Sequence, residues 1–319
     1  MKCILLLLDN SPITSVTGPM EIFSLANSLV VREQRMEIEL ISHSGDSVPC
    51  LGGLNLTVHG ALDVKQEADL IIVGAIGHPS ARPEKIDDEI LQWLRDMHAQ
   101  GCKVASICTG AFVLAASGLL DGMQATTHWQ CASLFRQRFP KVILRAEAMI
   151  TQQDGLYCSG GASAYQDMSI HLIKEVFGES IAQQCAKSIL FDSDRQGQLQ
   201  YSSFQPDRQH TDKLIHDLQD WLEKHVSQTF SMVTLAEKVH LSERQFKRRF
   251  KQATNESPLA YVQALRIEFA KQVLLLSNKP IAEVSRDSGY EDVRFFRQLF
   301  KRLTGLSPTD YRQKFALRG

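Results

Sequence analysis

The hydrophobic pattern divides the chain in two. Up to about residue 190, short apolar runs alternate with longer stretches of helical period. Lys2–Leu8, Glu37–Ser42, Asp69–Val73, Lys103–Ile107 and Leu156–Ser159 are predicted as strands. Met20–Val30, Asp87–Gln100, Ala111–Ser117, Trp129–Phe139, Ala162–Phe177 and Ile181–Leu190 are predicted as helices. Strands apolar at successive positions are buried on both faces, so this alternation implies a parallel sheet with helices on either side. From about residue 211 the period is helical throughout and no strand is evident, which predicts an all-α second domain. Residues 192–210 are polar, contain Gly and Pro and lack periodicity, so they are expected to link a first domain, 1–191, to a second, 211–319.

The second domain repeats itself. Phe246, Phe250, Thr254, Ser257, Pro258 and Tyr261 recur fifty positions later as Phe296, Phe300, Thr304, Ser307, Pro308 and Tyr311. Upstream the offset is 49, pairing Leu235 with Val284 and Leu241 with Tyr290, as though Val293 were a single insertion. Two copies of one helix-turn-helix explain this economically. In the first copy Thr234–Val239 is a short helix, His240-Leu241 the turn, and Ser242 the N-cap of a second helix running to Gln252. Phe246 and Phe250, four apart, share the face turned to the core. Arg244, Lys247, Arg248 and Lys251 fall on another face, and Arg294, Arg297, Gln298 and Lys301 repeat those offsets in the second copy. A helix of this kind fits the major groove of double-stranded DNA, where Arg pairs with guanine and Lys or Arg holds phosphates; Gln245 joins the expected contacts. Entry into successive grooves needs a separation of about 34 Å. Ala260–Leu276, apolar at 262, 265, 269, 273 and 276, is the expected spacer helix. The acidic pair Glu291-Asp292 would either read cytosine or cap its helix.

Charge follows the same division. Residues 1–206 hold 15 Lys and Arg against 22 Asp and Glu, a net −7, whereas residues 207–319 hold 20 against 14, a net +6. A basic module is thus joined to an acidic one. The apolar opening, residues 3–8, ends at Asp9, too early for a membrane span, and no leader cleavage pattern follows. Seven scattered cysteines without a Cys-x-x-Cys pair fit a reducing cytoplasm. Ten histidines show no ligand spacing, so neither a metal nor a cofactor is expected.

Residues 211–315 resemble the DNA-binding domain of AraC-type transcription regulators, through "TLAEKVHLSERQFKRRFK", "LRIEFAKQVLLLSNKPIAEVS" and "SGYEDVRFFRQLFKRLTGLSPTDYR". The resemblance implies that Arg244, Lys247, Arg248, Arg294 and Gln298 face the groove. Residues 1 to about 190 resemble the ThiJ/PfpI domain of the class I glutamine-amidotransferase-like superfamily, through "TGPMEIFSLAN", "DLIIVGAIG", "ASICTGAFVLAASGLLDGMQATTHW" and "YCSGGASAYQDMSIHLIKEVFG". This implies a flavodoxin-like three-layer sandwich acting as a sensor, a cytoplasmic regulator (an activator by resemblance) that recruits RNA polymerase, and a homodimer formed through the first domain.

Cys108 follows a predicted strand and precedes a predicted helix, at the carboxyl end of the sheet where ligands of such folds sit. It is open to three readings: a small residue at a tight turn, a ligand contact, or a nucleophile. Related enzymes often follow the cysteine with His or place an acid just before the Gly-Pro of the first helix; here Thr109 and Ser15 stand in those places, and neither does carboxylate or imidazole work at neutral pH. Glu21 and His128 are the remaining substitutes. The expected function is therefore not enzymatic. A small effector would be held by Cys108, Thr109 and the amides near Gly74 and Ala75, with Ser15 and His128 alongside; helix-terminal amides suit a carboxylate, hence an amino-acid or betaine-like compound. "SGGAS" at 159–163 is read as a turn into a helix rather than a phosphate cradle, since it lacks the P-loop Lys. The alternatives are a thiol-dependent hydrolase, hydratase or amidase fused to a DNA-binding module, and a constitutive architectural DNA binder.

Overall fold

The computed structural model describes residues 1–316 except 64, 78–85, 193, 194, 196 and 209. Part of the expected linker, at 193, 194, 196 and 209, thus lies outside the described residues. The chain forms two units, Met1–Gln198 and Leu199–Gly319.

In the first unit, β1 (Lys2–Leu6), α1 (Thr14–Ser28), β2 (Glu37–Ser42), β3 (Val48–Pro49), β4 (Asn55–Leu56), β5 (Gly60–Ala61), β6 (Leu70–Val73), α2 (Asp88–Ala99) and β7 (Lys103–Ser106) are followed by α3 (Ala111–Ala116), β8 (Gln124–Ala125), α4 (Ala132–Arg138), β9 (Ile143–Leu144), β10 (Ile150–Gln153), β11 (Leu156–Ser159), α5 (Tyr165–Phe177) and α6 (Glu179–Ser188). Seven strands form one sheet in the order β10-β11-β7-β6-β1-β2-β5. All neighbours are parallel except β10, which runs against β11. Alternation along the central strands sends their side chains to two cores. Ile4, Leu6, Ile71, Val73 and Val104 meet Trp93, Leu94, Phe112 and Phe135 on one face. Cys3, Leu5, Leu70, Ile72 and Ala105 meet Phe23, Met168 and Leu172 on the other. Burial of Cys3–Leu6 on β1 and of all of β6 is what the unbroken apolar runs encode.

Helix α1 starts at Thr14, six residues before the expected Met20, and carries Gly18 and Pro19 inside it. These two residues look like a break, but Gly18 admits the Tyr165 ring: a Cβ there would lie 2.3 Å from a ring carbon.

The second unit is helical: α7 (Lys213–Lys224), α8 (Met232–Lys238), α9 (Glu243–Thr254), α10 (Pro258–Leu276), α11 (Ile281–Asp287), α12 (Val293–Thr304) and α13 (Pro308–Phe315). The repeat is drawn twice in its contacts. Thr254 and Thr304 each donate to the carbonyl four residues back, at 2.9 and 2.8 Å. Ser257 and Ser307 cap the next helix, with Pro at its first turn. Tyr261 meets Phe250 edge-on at 5.1 Å, and Tyr311 meets Phe300 at 5.5 Å. Helix α10 serves both copies: Tyr261 and Val262 belong to the core of the first, Ile267, Ala270 and Leu274 to that of the second. The helix expected over Ala260–Leu276 is present as α10, although of its apolar positions 262, 265, 269, 273 and 276 the last, Leu276, is 85% exposed. Among the described residues, no helix is long and apolar enough to cross a membrane.

Candidate functional site

Strand β7 ends at Ser106, and the chain turns into α3 through Cys108, whose φ is +55°. A side chain held in the left-handed region marks strain kept by its surroundings. The turn is tight because Gly110 lies against the end of β6, where a Cβ would approach the Val73 carbonyl oxygen to 2.6 Å. Thr127 Oγ1 donates to the Cys108 carbonyl at 3.0 Å. Cys108 is buried, and burial pushes its thiol up to about 12 against smaller opposing contributions from hydrogen bonds with Thr109. Nearby Cys131 adds to the rise. Among the described residues, no carboxylate or imidazole is hydrogen-bonded to the Cys108 sulfur. Glu21 is exposed on α1. His128 accepts from the Gln130 amide through Nδ1 at 3.2 Å, and its ring lies beside Trp129.

The other expected ligand residues lie close together but are tied to one another. Ser15 Oγ accepts from the Ala75 amide at 3.1 Å and donates to the Pro12 carbonyl at 2.7 Å. Thr109 Oγ1 accepts from the Ile76 amide at 3.0 Å, and the Gly74 amide donates to Leu6 O at 3.0 Å. The amides of Gly74 and Ala75, expected to hold a carboxylate, are thus engaged within the protein, and Ser15 and Thr109 act as braces between α1, β6 and the Cys108 turn. Three exposed groups, His43, Asp87 and Glu89, lie close enough to share a metal, with His43 within 3.5 Å of both carboxylates, away from this turn.

The second constellation lies on α9 and α12. Phe246 and Phe250 are fully buried, as are Phe296 and Phe300, which fixes the outward face of each helix. Arg244, Lys247, Arg248 and Lys251 are exposed on α9, and Arg294, Arg297, Gln298 and Lys301 on α12. Lys247 pairs with Glu243 one turn before it. Among the described residues, the other five arginines and lysines besides Lys251 in this set, Arg244, Arg248, Arg294, Arg297 and Lys301, and Lys251 itself, form no intramolecular ion pair. Some other cations of the unit are neutralised: Arg249 grips Asp212 at 2.6 and 3.0 Å, and Arg208 bridges Asp220 and Glu223. Cations are thus exposed at matching positions on two repeated helices, a concentration of positive charge on each.

Comparison with known proteins places both units. The DJ-1/PfpI family pattern matches residues 3–175, more than half of the chain. The chain belongs to the DJ-1/PfpI family. A helix-turn-helix domain, of the AraC type, matches residues 235–314. The HTH-type transcriptional regulator GbdR of Pseudomonas aeruginosa is 27% identical over 97% of this chain and 83% of its own length. Isonitrile hydratase of Pseudomonas putida is 29% identical over 44% of this chain and 59% of the enzyme. A putative transcriptional regulator from Vibrio parahaemolyticus shares the fold of the first unit, with TM-score 0.55 and 24% identity over 59% of this chain and 98% of that one. The chain therefore joins a flavodoxin-like DJ-1/PfpI domain to a DNA-binding helix-turn-helix domain, the two-part architecture of the regulators it resembles along nearly its whole length.

Two residues take roles that the sequence analysis did not assign. Gln245 Oε1 accepts from the backbone amide and hydroxyl of Ser242, at 3.1 and 2.8 Å, and so completes a capping box on α9; the Ser-x-x-Gln spacing was the available signal. In the DJ-1/PfpI unit, Gln198 is 2% exposed although it lies within the polar stretch expected to be linker. Asp292 settles one open alternative: its carboxylate accepts from the Arg294 and Phe295 amides at 2.8 and 3.1 Å, capping α12.

Proposed function

We propose that this protein is a cytoplasmic activator of transcription whose helices α9 and α12 enter the major groove of promoter DNA, while the DJ-1/PfpI unit binds a small metabolite. One observation carries the reading: among the described residues, each recognition helix exposes three cations at matching positions, Arg244, Arg248 and Lys251 on α9 and Arg294, Arg297 and Lys301 on α12, without an internal ion pair and braced from behind by a buried phenylalanine pair. Arg244, Arg248, Arg294 and Gln298 face base edges, and Lys247, Lys251, Arg297 and Lys301 hold phosphates. Gln245 serves the cap first, so its base contact is confined to the amide nitrogen. The effector is an amino-acid or betaine-like compound bound near Cys108, Thr109 and His128, with Ser15, Gly74 and Ala75 shaping the wall. Its unequal affinity for two states of the chain changes promoter occupancy or recruitment of RNA polymerase. The active species is a homodimer formed through the DJ-1/PfpI units.

A thiol enzyme fits less well. A nucleophilic cysteine needs a thiolate and a neighbouring base, whereas burial raises the Cys108 pKa to about 12 and, among the described residues, no base is bonded to its sulfur. Footprinting selected operator fragments against salt tests the main reading. Arg244→Ala or Arg294→Ala is expected to cost about 1–3 kcal/mol and relax specificity at one position, whereas Lys251→Ala or Lys301→Ala lowers the salt slope by about one. Salt-independent binding, or binding indifferent to all four changes, overturns it.

A further inference from the structure

We propose that the DJ-1/PfpI unit contains, beside the Cys108 turn, a binding site for a primary carboxamide, filled by the Gln198 side chain, and that the effector is of the amino-acid rather than the betaine kind, bearing an amide that displaces it. The proposal rests on the reading of this unit as an effector sensor. Five hydrogen bonds define the site. Gln198 Oε1 accepts from the Gly161 and Trp129 amides at 3.1 and 3.3 Å. Its Nε2 faces the Thr127 carbonyl at 2.7 Å, Thr126 Oγ1 at 3.1 Å and the Ala148 carbonyl at 3.3 Å. Backbone amides only donate and carbonyls only accept, so the network fixes which end of the carboxamide is oxygen.

The surroundings are shaped for this group. A Cβ on Gly160 would fall 2.7 Å from both Cδ and Nε2 of Gln198, so a flat amide lies directly on that backbone. Gly197, at φ +154°, passes so near Glu147 that a Cβ would sit 2.5 Å from its carbonyl oxygen, and the Gln198 amide donates to that same carbonyl at 3.1 Å. The "SGGAS" turn, which lacks phosphate-binding chemistry, thereby gains a function. The donor and acceptor pattern selects the ligand class. A carboxylate would set a negative oxygen against three acceptors, and an ammonium would leave two amides without an acceptor. Only a group with an acceptor oxygen beside an NH2 satisfies both ends.

Two connections make the site a sensor rather than a fastening. Thr127, whose carbonyl binds the carboxamide, also donates its hydroxyl to the Cys108 carbonyl, so the site adjoins the strained turn. Gln198 is the last residue of its unit, and the next residues are already anchored in the helix-turn-helix unit: Lys271 Nζ donates to Ser202 O at 2.6 Å, and the Phe204 amide donates to Glu268 at 3.0 Å. Release of Gln198 therefore frees the chain entering that unit. Arg195, held by Asp167 and by Ser163 Oγ at 3.1 Å, is the neighbouring clamp and supplies a trypsin site.

The test uses the full chain with propionamide and propionate as probes. Gln198→Ala should lower the melting temperature, propionamide at high millimolar concentration should restore at least half of the loss, and propionate should not. In the wild type, propionamide should speed tryptic cleavage after Arg195 by roughly tenfold, because cleavage of an opened segment follows its population, and one buried hydrogen bond of about 1.4 kcal/mol is a factor of ten. Gln198→Glu, isosteric, covers the case in which the alanine variant does not fold: its side chain should be expelled at neutral pH and cleavage there should exceed wild type. Equal responses to propionamide and propionate, or an unchanged melting temperature and cleavage rate in both variants, overturn the proposal. Melting and proteolysis are read without DNA, so a failure of promoter binding would count against the regulator reading and leave this site standing.

Discussion

Replacing Arg266 should loosen the joint between the two helix-turn-helix copies. This side chain, 9% exposed in the middle of α10, donates from Nε to Val226 O at 3.1 Å and from Nη2 to Gln228 O at 2.5 Å. Its guanidinium lies 5.0 Å from the Phe230 ring and 5.2 Å from the Tyr290 ring. Burial lowers its pKa, although Tyr290 opposes the change. Arg266→Ala removes two charge-assisted bonds, leaves two carbonyls short of donors and opens a cavity beside the rings. Each bond to a charged group contributes about 1.5–3 kcal/mol, and the desolvation recovered on removing the charge offsets part of that. A net loss of about 3 kcal/mol follows. Arg266→Lys should lose about half as much, since one ammonium cannot span both carbonyls and both rings. Calorimetry of the full chain should show the helical unit's transition falling by roughly 10 °C in the alanine variant. DNA affinity should fall as well, although Arg266 is not on the cationic face. A loss below about 0.5 kcal/mol for Arg266→Ala, the range of an ordinary surface change, would refute the reasoning.

Gly289→Ala should destabilise by about 2 kcal/mol, because φ is +79° and a Cβ would lie 2.8 Å from the Arg266 guanidinium carbon; His240, the matching residue of the first copy at φ +53°, should accept Gly with a change near zero, as urea unfolding would show. Asp212 caps α7 and binds Arg249, which holds its carboxyl below the usual range. A depressed folded pKa contributes stability above the unfolded value of about 4, lost as pH falls through the folded one; acid melting of Asp212→Asn should lack that component. Cys108 should resist alkylation at neutral pH and react only as pH rises toward about 12, and mass mapping that finds it modified first among the seven cysteines would contradict the buried thiol.

Apolar runs located the central strands β1 and β6 because burial on both faces leaves little choice of residue, whereas β2, Glu37–Ser42, was legible from the alternation of its first residues. Strand β10 was not legible: Ile150–Gln153 has one apolar residue in four and joins the sheet edge through backbone pairing with β11. The cationic ridges were legible because helical spacing places them without tertiary knowledge. The surroundings of Cys108 were less so. Ser15 and Thr109 are short polar side chains that suit a ligand as well as a neighbouring amide, and only the fold shows which they meet. The stretch 192–210 was misleading in a different way. Its polar residues suggested solvent, yet Arg195 and Gln198 are polar because the groups that hold them are a carboxylate, backbone amides and carbonyls.

The duplication and the polar segment together account for how such a chain carries a signal. Each helix-turn-helix copy closes its own core around a phenylalanine pair, and α10 belongs to both, so the two recognition helices form one body with Arg266 at its joint. A body of that kind does not need to be unfolded by the sensor; it needs only to be held or released through the segment that enters it. Apolar anchoring of that segment would be hard to reverse, since a small effector carries little area with which to compete. Hydrogen-bond anchoring is different, because a solute bearing the same donor and acceptor can replace it bond for bond. The use of Gln198, rather than a leucine, at this position is therefore what a reversible connection requires.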